Sequence, residues 1–450
     1  MPGTELMVRR SLAAVLVVAL PFAMAAPAMA QKLPRVDGPL TLDRAVELAL
    51  AESLRVRAAR ADSQTMESMR REAQAPFWPQ FSANGYFANQ SMSPNVYTSA
   101  GTTMARNYQV FGADQNRDGN FTGMYSLFAG GRDYYTYRAA AHRADAGREM
   151  LRGTEVDVAM QARLDYIGAV RETESLQVLV DLLRNIDERL RVTREQFEAG
   201  RVPRYYVLRD EAERANVLQM QATTQSRADL ALIALKTTLG IDLASVVTLS
   251  ERLDYVPVTL SVEEGIREAS ESQPELKAAI KQREAAEAEV RAAYGNYFPQ
   301  VSLSYMYDWL WTKNQNESRN SDGYSVGVVV TLPLFDGLLR ENALKTAKSK
   351  LERAVQGEGL VRQQIVKDVN QAALMLTAAD KGVAAARTGL ELAEEDFRVV
   401  RERFESGRGI QVEVLDAQVA LTRARFNIVN ALAEYHSAQA MWLRATGRVR

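Results

Sequence analysis

Hydrophobic and polar residues alternate in two short stretches of the second half of this chain. In residues 301–311 every odd position is apolar, from Val301 to Trp311, and the even positions begin with serines. Residues 324–332 alternate in the same way, with valines at positions 326, 328 and 330. Because successive side chains of a strand point to opposite faces, this pattern predicts a β-hairpin with one apolar face. Each strand is about long enough to cross a bilayer, which takes roughly 9 to 11 tilted residues.

The first half of the chain contains a weaker copy of this hairpin. Its apolar face is predicted to carry Phe81, Ala83, Gly85 and Phe87 on one strand and Phe121, Gly123, Tyr125 and Leu127 on the other. Residues 89–120 are rich in Gly, Asn, Ser and Asp, a composition typical of a long exposed loop. The corresponding loop of the second hairpin is predicted at 314–323.

Two long stretches, residues 132–199 and 339–406, are poor in glycine and proline and are predicted to be helices. At about 1.5 Å per residue, each helix would be on the order of 100 Å long. Apolar residues of the second helix recur at steps of 3, 4 or 7 residues, as a coiled coil requires: Val361, Ile365, Val369, Ala372, Leu376, Val383, Leu390, Phe397, Val400 and Phe404. Helices of this length cannot fold as a globular core, so we expect them to pack against partner helices.

Repeated motifs indicate that the chain is an internal duplication. Phe-Glu-Ala-Gly-Arg at 197–201 recurs as Phe-Glu-Ser-Gly-Arg at 404–408, and Leu-Phe-Ala-Gly at 127–130 recurs as Leu-Phe-Asp-Gly at 334–337, both 207 positions later. Phe-Trp-Pro-Gln at 77–80 corresponds to Tyr-Phe-Pro-Gln at 297–300, which is 220 positions later. We therefore predict two structural repeats, residues 31–240 and 241–450.

Each repeat is predicted to contain a helix, a hairpin, a long helix, an elbow and a returning helix. Gly200 and Gly407 end the long helices, in the left-handed conformation of a C-cap glycine. Pro203 suits the first turn of the helix that follows. The shorter helices are predicted at 42–74, 203–239, 262–294 and 411–443.

Residues 1–30 have the pattern of a signal peptide. Two arginines precede an apolar run at 12–26, and Ala-Met-Ala at 28–30 forms a cleavage site before Gln31. No later stretch of 18 uncharged apolar residues follows, so any contact with lipid is expected to be made by strands. The chain has no cysteine, which excludes disulfides, thiolate metal sites and a lipid-modified cysteine. Its net charge of -1 gives no bulk attraction to nucleic acid.

Four strands cannot close a barrel by themselves, and open strand edges are not tolerated in lipid. We therefore expect the strands to be shared with copies of the same chain. Two copies would give eight strands around a filled interior, and three copies would give twelve strands around a lumen. Gly123 and Gly327 are expected to ease the curvature of the sheet. A wet interior suits the polar residues of the second face: Ser302, Ser304, Asp308, Ser325 and Thr331.

The paired motifs at the strand starts, strand ends and elbows occur twice in the same order, and the chain resembles the TolC-like outer membrane efflux proteins over residues 42–447. The resemblance implies a mainly α fold with a small β part: duplicated long-helix coiled-coil hairpins with four membrane strands per protomer. Three protomers would close a twelve-stranded β-barrel, continuous with an α-helical barrel across the periplasm. The resemblance also implies location in the bacterial outer membrane, docking by an inner-membrane transporter and a periplasmic adaptor, and export of drugs, metals or proteins.

Glu413 and Asp416 are one helical turn apart, directly after the second elbow. They match the positions at which the family places acids around the tunnel entrance, where rings of carboxylates favour cations. Acids in a first turn also stabilise the helix dipole, and this is the alternative interpretation. At the first elbow Tyr206 replaces the acid of some relatives, so a gate lock like theirs is not carried over.

The elbows supply the remaining candidate residues. Arg201 and Arg408 are candidates for ion pairs across elbows in a closed state. Phe197 and Gly200, with Phe404 and Gly407, are the predicted adaptor contacts.

No catalytic, cofactor or metal site is predicted. Residues 114–119 resemble the opening of a calcium loop, but the twelfth position is Tyr125 instead of the required Glu, which favours a turn. His142 and His436 lie on different predicted helices and are expected to be solvated. Two alternatives to a passive channel remain: a soluble coiled-coil protein of the envelope, and, with less support, an envelope enzyme.

Overall fold

The computed structural model describes residues 33–89, 115–258, 260–313, 318–406 and 408–448. The predicted signal peptide, residues 1–30, and Gly407 lie outside the described residues. The first half contains β1 (Gly38–Leu40), α1 (Leu42–Glu52), α2 (Leu54–Glu72), β2 (Gln80–Asn89), β3 (Gln115–Ala129), α3 (Arg132–Glu198) and α4 (Arg204–Leu239). The second half contains β4 (Val247–Leu249), α5 (Val262–Ser272), α6 (Pro274–Gly295), β5 (Gln300–Lys313), β6 (Ser318–Thr331), α7 (Leu339–Glu405) and α8 (Gln411–Ala445).

The two long helices, α3 and α7, confirm the sequence prediction. Each is 67 residues long, and their limits differ from the predicted ones by a single residue. The apolar residues of α7 that recur at coiled-coil spacing are buried from Ile365 to Val383. Towards the elbow they become half-buried to exposed. In α3 burial continues further towards the elbow, to Leu190 and Thr193.

The shorter helices before each hairpin are broken, which the sequence analysis did not predict. The region 42–74 divides at Ser53, where the backbone is extended with ψ at 130°. The region 262–294 divides at Gln273, with ψ at 118°. Gln273 precedes Pro274, and a proline disfavours the helical conformation of the residue before it.

One antiparallel sheet contains the strands of both hairpins, in the order β2-β3-β5-β6. The inner strands β3 and β5 come from different halves and pair along almost their whole length, from Gln115 opposite Lys313 to Ala129 opposite Gln300. Among the described residues, β2 and β6 each pair along one edge only. The sheet therefore joins the two halves and leaves two edges open.

The strands are longer than predicted at the end of the sheet that carries the hairpin loops. Residues 115–120, expected in the long loop, belong to β3, and β6 begins at Ser318, inside the predicted loop 314–323. Cross-strand hydrogen bonds accommodate polar side chains on these strands, including Asn120 of the predicted loop. Asn84 donates to Asn120 over 2.9 Å, and the hydroxyl oxygens of Ser82 and Thr122 are 2.6 Å apart.

The predicted apolar face is present, with one change of register. Paired residues share a face of the sheet, and the pairs Val301–Val330, Leu303–Val328 and Tyr305–Val326 place the alternating apolar positions of β5 and β6 together. In β3 the pairing shifts between Ser126 and Phe128. Because of this bulge, Phe128 pairs with Val301 in the position expected for Leu127.

The helices pack so that α3 lies against α4 and α6, and α7 lies against α8 and α6. The largest buried cluster includes Tyr166 and Ile167 of α3, with Leu235 of α4. The connector between the halves is held by Tyr435, whose hydroxyl donates to the Val256 carbonyl over 2.7 Å. Tyr255 of the connector donates to Asp380 over 2.6 Å.

Candidate functional site

The first elbow has the geometry predicted for a C-cap glycine. Gly200 has a φ of +67°, in the left-handed region. The Gly200 N–H donates to the Phe197 carbonyl over 2.9 Å, and the Arg201 N–H donates to the Gln196 carbonyl over 2.8 Å. These bonds satisfy carbonyls that the end of α3 would otherwise leave unpaired. Pro203 takes the N-cap position of α4 instead of its first turn, one residue earlier than predicted.

One backbone hydrogen bond of the first elbow recurs at the second, whose Gly407 is outside the described residues. The Arg408 N–H donates to the Arg403 carbonyl over 2.9 Å, and both partners lie 207 positions after those of the first elbow. The aromatic residues of the two motifs are similarly placed, because Phe197 is 41% exposed and Phe404 is 39% exposed. In their described residues the two elbows therefore share one backbone hydrogen bond and a similarly exposed phenylalanine.

A buried carboxylate links the two helices above the first elbow. Asp210 of α4 is fully buried. It accepts hydrogen bonds from Arg189 Nε and from the Thr193 hydroxyl of α3, both over 2.9 Å. A charge removed from water is stable only when it is paired and hydrogen-bonded, so these two contacts are what allow Asp210 to be buried.

Two exposed ion pairs extend this link, from Arg194 to Glu211 over 2.7 Å and from Arg214 to Asp187 over 2.6 Å. Sequence reasoning missed all of these contacts. For one exposed pair the sequence contained a signal, because its charges are opposite and nearly equidistant from the elbow: Asp187 lies 13 residues before Gly200 and Arg214 lies 14 residues after it.

The second elbow lacks the buried carboxylate. At the position 207 residues after Asp210 stands Ala417, and the position equivalent to Arg189 is Asp396. In the described part of α7 and α8 near the elbow, one ion pair joins the two helices, between Arg425 and Glu394 over 3.9 Å. The first elbow is therefore more strongly cross-linked than the second.

Glu413 and Asp416 lie in the first two turns of α8, which begins at Gln411. Asp416 is exposed and Glu413 is half-buried. One carboxylate oxygen of Glu413, Oε2, is buried without a hydrogen-bond partner among the described residues. The equivalent positions of the first elbow are Tyr206 and Arg209, so the two acids distinguish the second elbow from the first.

Arg201 and Arg408 are both exposed, and neither forms an ion pair with a carboxylate in the described part of the chain. Beside the first elbow, an open groove of about 580 Å³ lies between α3 and α4. Charged residues of both signs line most of this groove: Asp187, Arg191, Arg194, Glu195, Glu198, Glu211 and Arg214, with Leu190, Ala215 and Leu218.

The expectation that both histidines are solvated is wrong. Nδ1 of His142 lies 3.0 Å from Oε2 of Glu284, and the side chain is 18% exposed because α6 covers it. Nε2 of His436 lies 2.9 Å from the Asp254 carbonyl of the connector. Burial lowers the pKa of His436 below its usual value.

The possible calcium loop also differs from its prediction. Asp114 is outside the described residues, and Gln115 to Gly119 are strand residues of β3 instead of a turn. Over the described ranges, no group of three or more acidic or histidine side chains is placed to hold a metal ion. In that same part of the chain, no helix is both long enough and apolar enough to cross a membrane.

Comparison with known proteins identifies the family. The profile of the outer membrane efflux proteins matches residues 45–241 and 265–448. The chain belongs to this family. It is an outer-membrane efflux channel protein with a large periplasmic helical part, so the alternative of a soluble coiled-coil protein is not supported.

Relatives of this efflux channel protein match most of its length. The outer membrane efflux protein BepC of Brucella suis is 26% identical over 329 residues, covering 72% of this chain and 70% of BepC. Protein CyaE of Bordetella pertussis is 26% identical over 442 residues, covering 94% of this chain and 88% of CyaE.

Solved structures share the fold at lower sequence identity. The outer membrane protein VceC of Vibrio cholerae has a TM-score of 0.73 at 18% identity, covering 90% of this chain and 96% of VceC. The CmeC outer membrane channel of Campylobacter jejuni has a TM-score of 0.75 at 16% identity, covering 90% of this chain and 85% of CmeC.

Proposed function

We propose that three copies of this chain form a passive exit duct across the outer membrane and the periplasm, in a tripartite efflux or type I secretion system. The observation that carries the proposal is the pairing of β3 with β5, which joins the two halves in one sheet and leaves β2 and β6 as open edges. Such edges cannot remain unpaired in lipid. Twelve strands give a barrel with a lumen, whereas eight give a filled one, and this favours three copies over two.

The proposed repeats, residues 31–240 and 241–450, indicate how the copies would meet. Within one chain, β3 of the first half pairs with β5 of the second. The equivalent of β3 is β6, and the equivalent of β5 is β2, so β6 is expected to pair with β2 of the next copy. If this continues around the ring, every strand edge is paired.

The helices support the same arrangement. Within one chain α3 packs against α6, and the equivalent contact would place α7 against α2 of the next copy. Much of the surface of α7 is available for this contact. Within one chain α7 has 7 buried residues, whereas α3, of the same length, has 19. Large apolar side chains remain exposed on both helices, such as Leu374 of α7 at 72% and Met69 of α2 at 55%.

A cysteine cross-link tests the proposed strand pairing. Met124 pairs with Ser304 inside the chain, and the equivalent pair between copies is Thr331 with Asn84. Directly opposed residues have Cβ atoms roughly 4.5–5.5 Å apart, close enough for a disulfide after small adjustments. The native chain has no cysteine, so Asn84→Cys with Thr331→Cys introduces the sole pair. Oxidation in membranes is expected to give covalent trimers on denaturing gels.

The matched control is Asn84→Cys with Gly327→Cys. Gly327 lies on the same face of β6 as Thr331 but four residues away, roughly 13 Å along the strand. This control should remain monomeric under the same oxidation. Covalent dimers without trimers, or equal cross-linking of both pairs, would contradict the proposed ring.

We further propose that Glu413 and Asp416 line the tunnel entrance as two rings of three carboxylates. The buried oxygen of Glu413 without a hydrogen-bond partner and the exposure of Asp416 support a role beyond the helix dipole. Arg201 and Arg408 would lie near these rings. In a closed state each would form an ion pair with a carboxylate across the elbows of different copies.

The test replaces both acids by alanine and measures the reversal potential of single channels in a salt gradient. Loss of six carboxylates per trimer should weaken cation selectivity and block by multivalent cations. The control is Glu391→Ala with Asp396→Ala, which removes as many charges from exposed positions of α7. Unchanged selectivity in a folded Glu413→Ala, Asp416→Ala trimer would assign both acids to the start of the helix.

The elbows are also the proposed contact with a periplasmic adaptor and, through it, an inner-membrane transporter. Phe197 and Gly200, with Phe404 and Gly407, would form the tip of this surface. The charged groove beside the first elbow supports the proposal, because side chains of both signs are exposed there for a polar partner.

A further inference from the structure

The apolar face of the sheet ends in an arginine and a tryptophan at the end far from the helices. Arg117 of β3 and Trp311 of β5 are directly paired, and the guanidinium carbon lies 4.7 Å from the centre of the Trp311 ring. In the next row, Gly119 is paired with Trp309, whose indole covers the glycine so closely that a Cβ atom would collide with it. An exposed cation therefore lies over one indole ring, with a second indole ring in the next row of the same face.

The length of the sheet places this pair at a boundary of the membrane. Trp311 lies ten residues beyond Val301 on β5, a distance of roughly 34 Å along the strand. At a tilt of about 40° this corresponds to roughly 26 Å across the bilayer, close to the ~25 Å apolar band of outer-membrane barrels. The aromatic residues near the opposite boundary, Trp78 and Phe298, are 70% and 52% exposed. Because the helices are periplasmic, Arg117 lies at the outer leaflet.

The two faces of the sheet carry different charges at the end that contains Arg117 and Trp311. Asp118 and Asp308 belong to the other face, proposed to line the lumen. On the apolar face, Arg117 is the cation among the described side chains, and Asp322, paired with Trp309, is the acid nearest the loop end. Tryptophan is enriched at membrane interfaces, where its ring contacts both lipid chains and headgroups.

We propose that Arg117 and Trp311 bind a phosphate of the phosphorylated glycolipid in the outer leaflet. Guanidinium forms two parallel hydrogen bonds to phosphate oxygens in the plane of its nitrogens. Its flat face remains on the indole, so one group can make both contacts. The site rests on the proposed assignment of the apolar face to lipid, and a trimer would contain three such sites.

The test is native mass spectrometry of the purified trimer, titrated in detergent with diphosphorylated lipid A or with the same lipid after removal of both phosphates. We expect tighter binding of the phosphorylated lipid. Arg117→Gln should reduce that binding about tenfold, as expected for one lost charge-assisted contact. Trp311→Leu should reduce it about threefold, and Arg117→Lys should give an intermediate loss.

The control is Arg353→Gln, which removes one exposed positive charge from α7, outside the membrane. It should bind both lipids like the native trimer. Equal binding of the two lipids by the native protein, or unchanged binding by Arg117→Gln, would overturn the proposal.

Channel recordings in planar bilayers separate this inference from the proposed function. If Arg117→Gln conducts normally and still binds the phosphorylated lipid like the native trimer, the lipid site alone is wrong. If the native protein forms no trimeric channel, the assignment of the apolar face to lipid is wrong, and the lipid site is wrong with it.

Discussion

Asp210 shows how much of this protein depends on single side chains that have no local sequence signal. Its partner Arg189 is 21 residues away, on the opposite side of the elbow. An acid in the second turn of a helix would ordinarily be assigned to solvent. The pairing becomes predictable only when the alignment of α3 with α4 is known, and that alignment follows from the Gly200 turn together with side-chain packing.

We expect Asp210→Ala to loosen the first elbow. Removing one partner of a buried ion pair leaves the other without compensation, and the cost here is expected to be about 3 kcal/mol. Amide hydrogen exchange in residues 187–214 should become roughly a hundredfold faster.

Asp187→Ala provides the control for this variant, because it breaks an ion pair whose side chains are 41% and 46% exposed. Such exposed pairs contribute little stability, so exchange should change only slightly. Replacing Arg189 by Met in the Asp210→Ala background should restore part of the protection. Similar exchange in the Asp210→Ala and Asp187→Ala variants would show that burial of Asp210 is unimportant.

His436 predicts a pH dependence of stability. Burial lowers its pKa in the folded chain, so the unfolded chain binds a proton more readily. Its contribution to stability is therefore complete above the unfolded pKa of about 6.5 and is lost as the pH falls through the lower folded pKa. His436→Gln should reduce the loss of thermal stability between pH 7 and pH 5. An identical decline in both proteins would exclude this contribution.

Glycine in the strands shows a different limit of sequence reasoning. Gly123 was expected to allow curvature of the sheet. In the structure it provides space for the Phe81 ring, because a Cβ atom at Gly123 would lie 2.9 Å from Cε1 of Phe81. The Phe81 ring on the neighbouring strand is therefore the reason for a glycine at position 123. Only the register of the hairpin identifies Phe81 as that neighbour.

At the scale of elements, periodicity predicted most of what the structure contains. Apolar residues that recur every three or four positions predict the long helices, and apolar residues at every second position predict the apolar strand face. The break at Ser53 and the bulge at Leu127 do not follow from these patterns, because each is a local adjustment to tertiary packing. Gly240 illustrates this at the first break, where it lies so close to the Glu52 carbonyl that a Cβ atom would be 2.6 Å away. The break at Gln273 had a local signal, the proline at 274, that the periodicity alone did not include.

The strand faces give a prediction about insertion into the membrane. Val328 lies on the apolar face, paired with Leu303, and Thr331 lies on the opposite face, paired with Gln300. Val328→Arg should cost roughly 2 to 4 kcal/mol per protomer near the bilayer midplane, whereas Thr331→Arg should be milder. The measurement is the yield of folded trimer in outer membranes. Equal losses from the two variants would contradict the assignment of the faces.

At the scale of the whole molecule, Arg444 connects both halves near the end of α8. Its guanidinium contacts Asp157 of α3 over 2.9 Å, Glu275 of α6 over 3.1 Å and Asp368 of α7 over 3.6 Å. The duplication was predictable from the repeated motifs, but this contact was not. Arg444 and its three acidic partners lie on four different helices, and they share no sequence motif or spacing.

We expect Arg444→Gln to destabilise the packing between the halves by about 2 kcal/mol, because three carboxylates lose a common, half-buried partner. Hydrogen exchange should increase at the ends of α6 and α8. The control is Arg448→Gln, which breaks a nearby pair with Glu268 whose arginine is 51% exposed. A larger effect of Arg448→Gln than of Arg444→Gln would contradict this role.

The unequal elbows have a mechanical consequence for the proposed trimer. Three elbows would carry the buried Asp210 and three would have Ala417 in its place, so rigid and compliant supports alternate around the opening. A uniform outward load on such a ring would displace the compliant supports further than the rigid ones. The opening would then widen as a triangle and not as a circle.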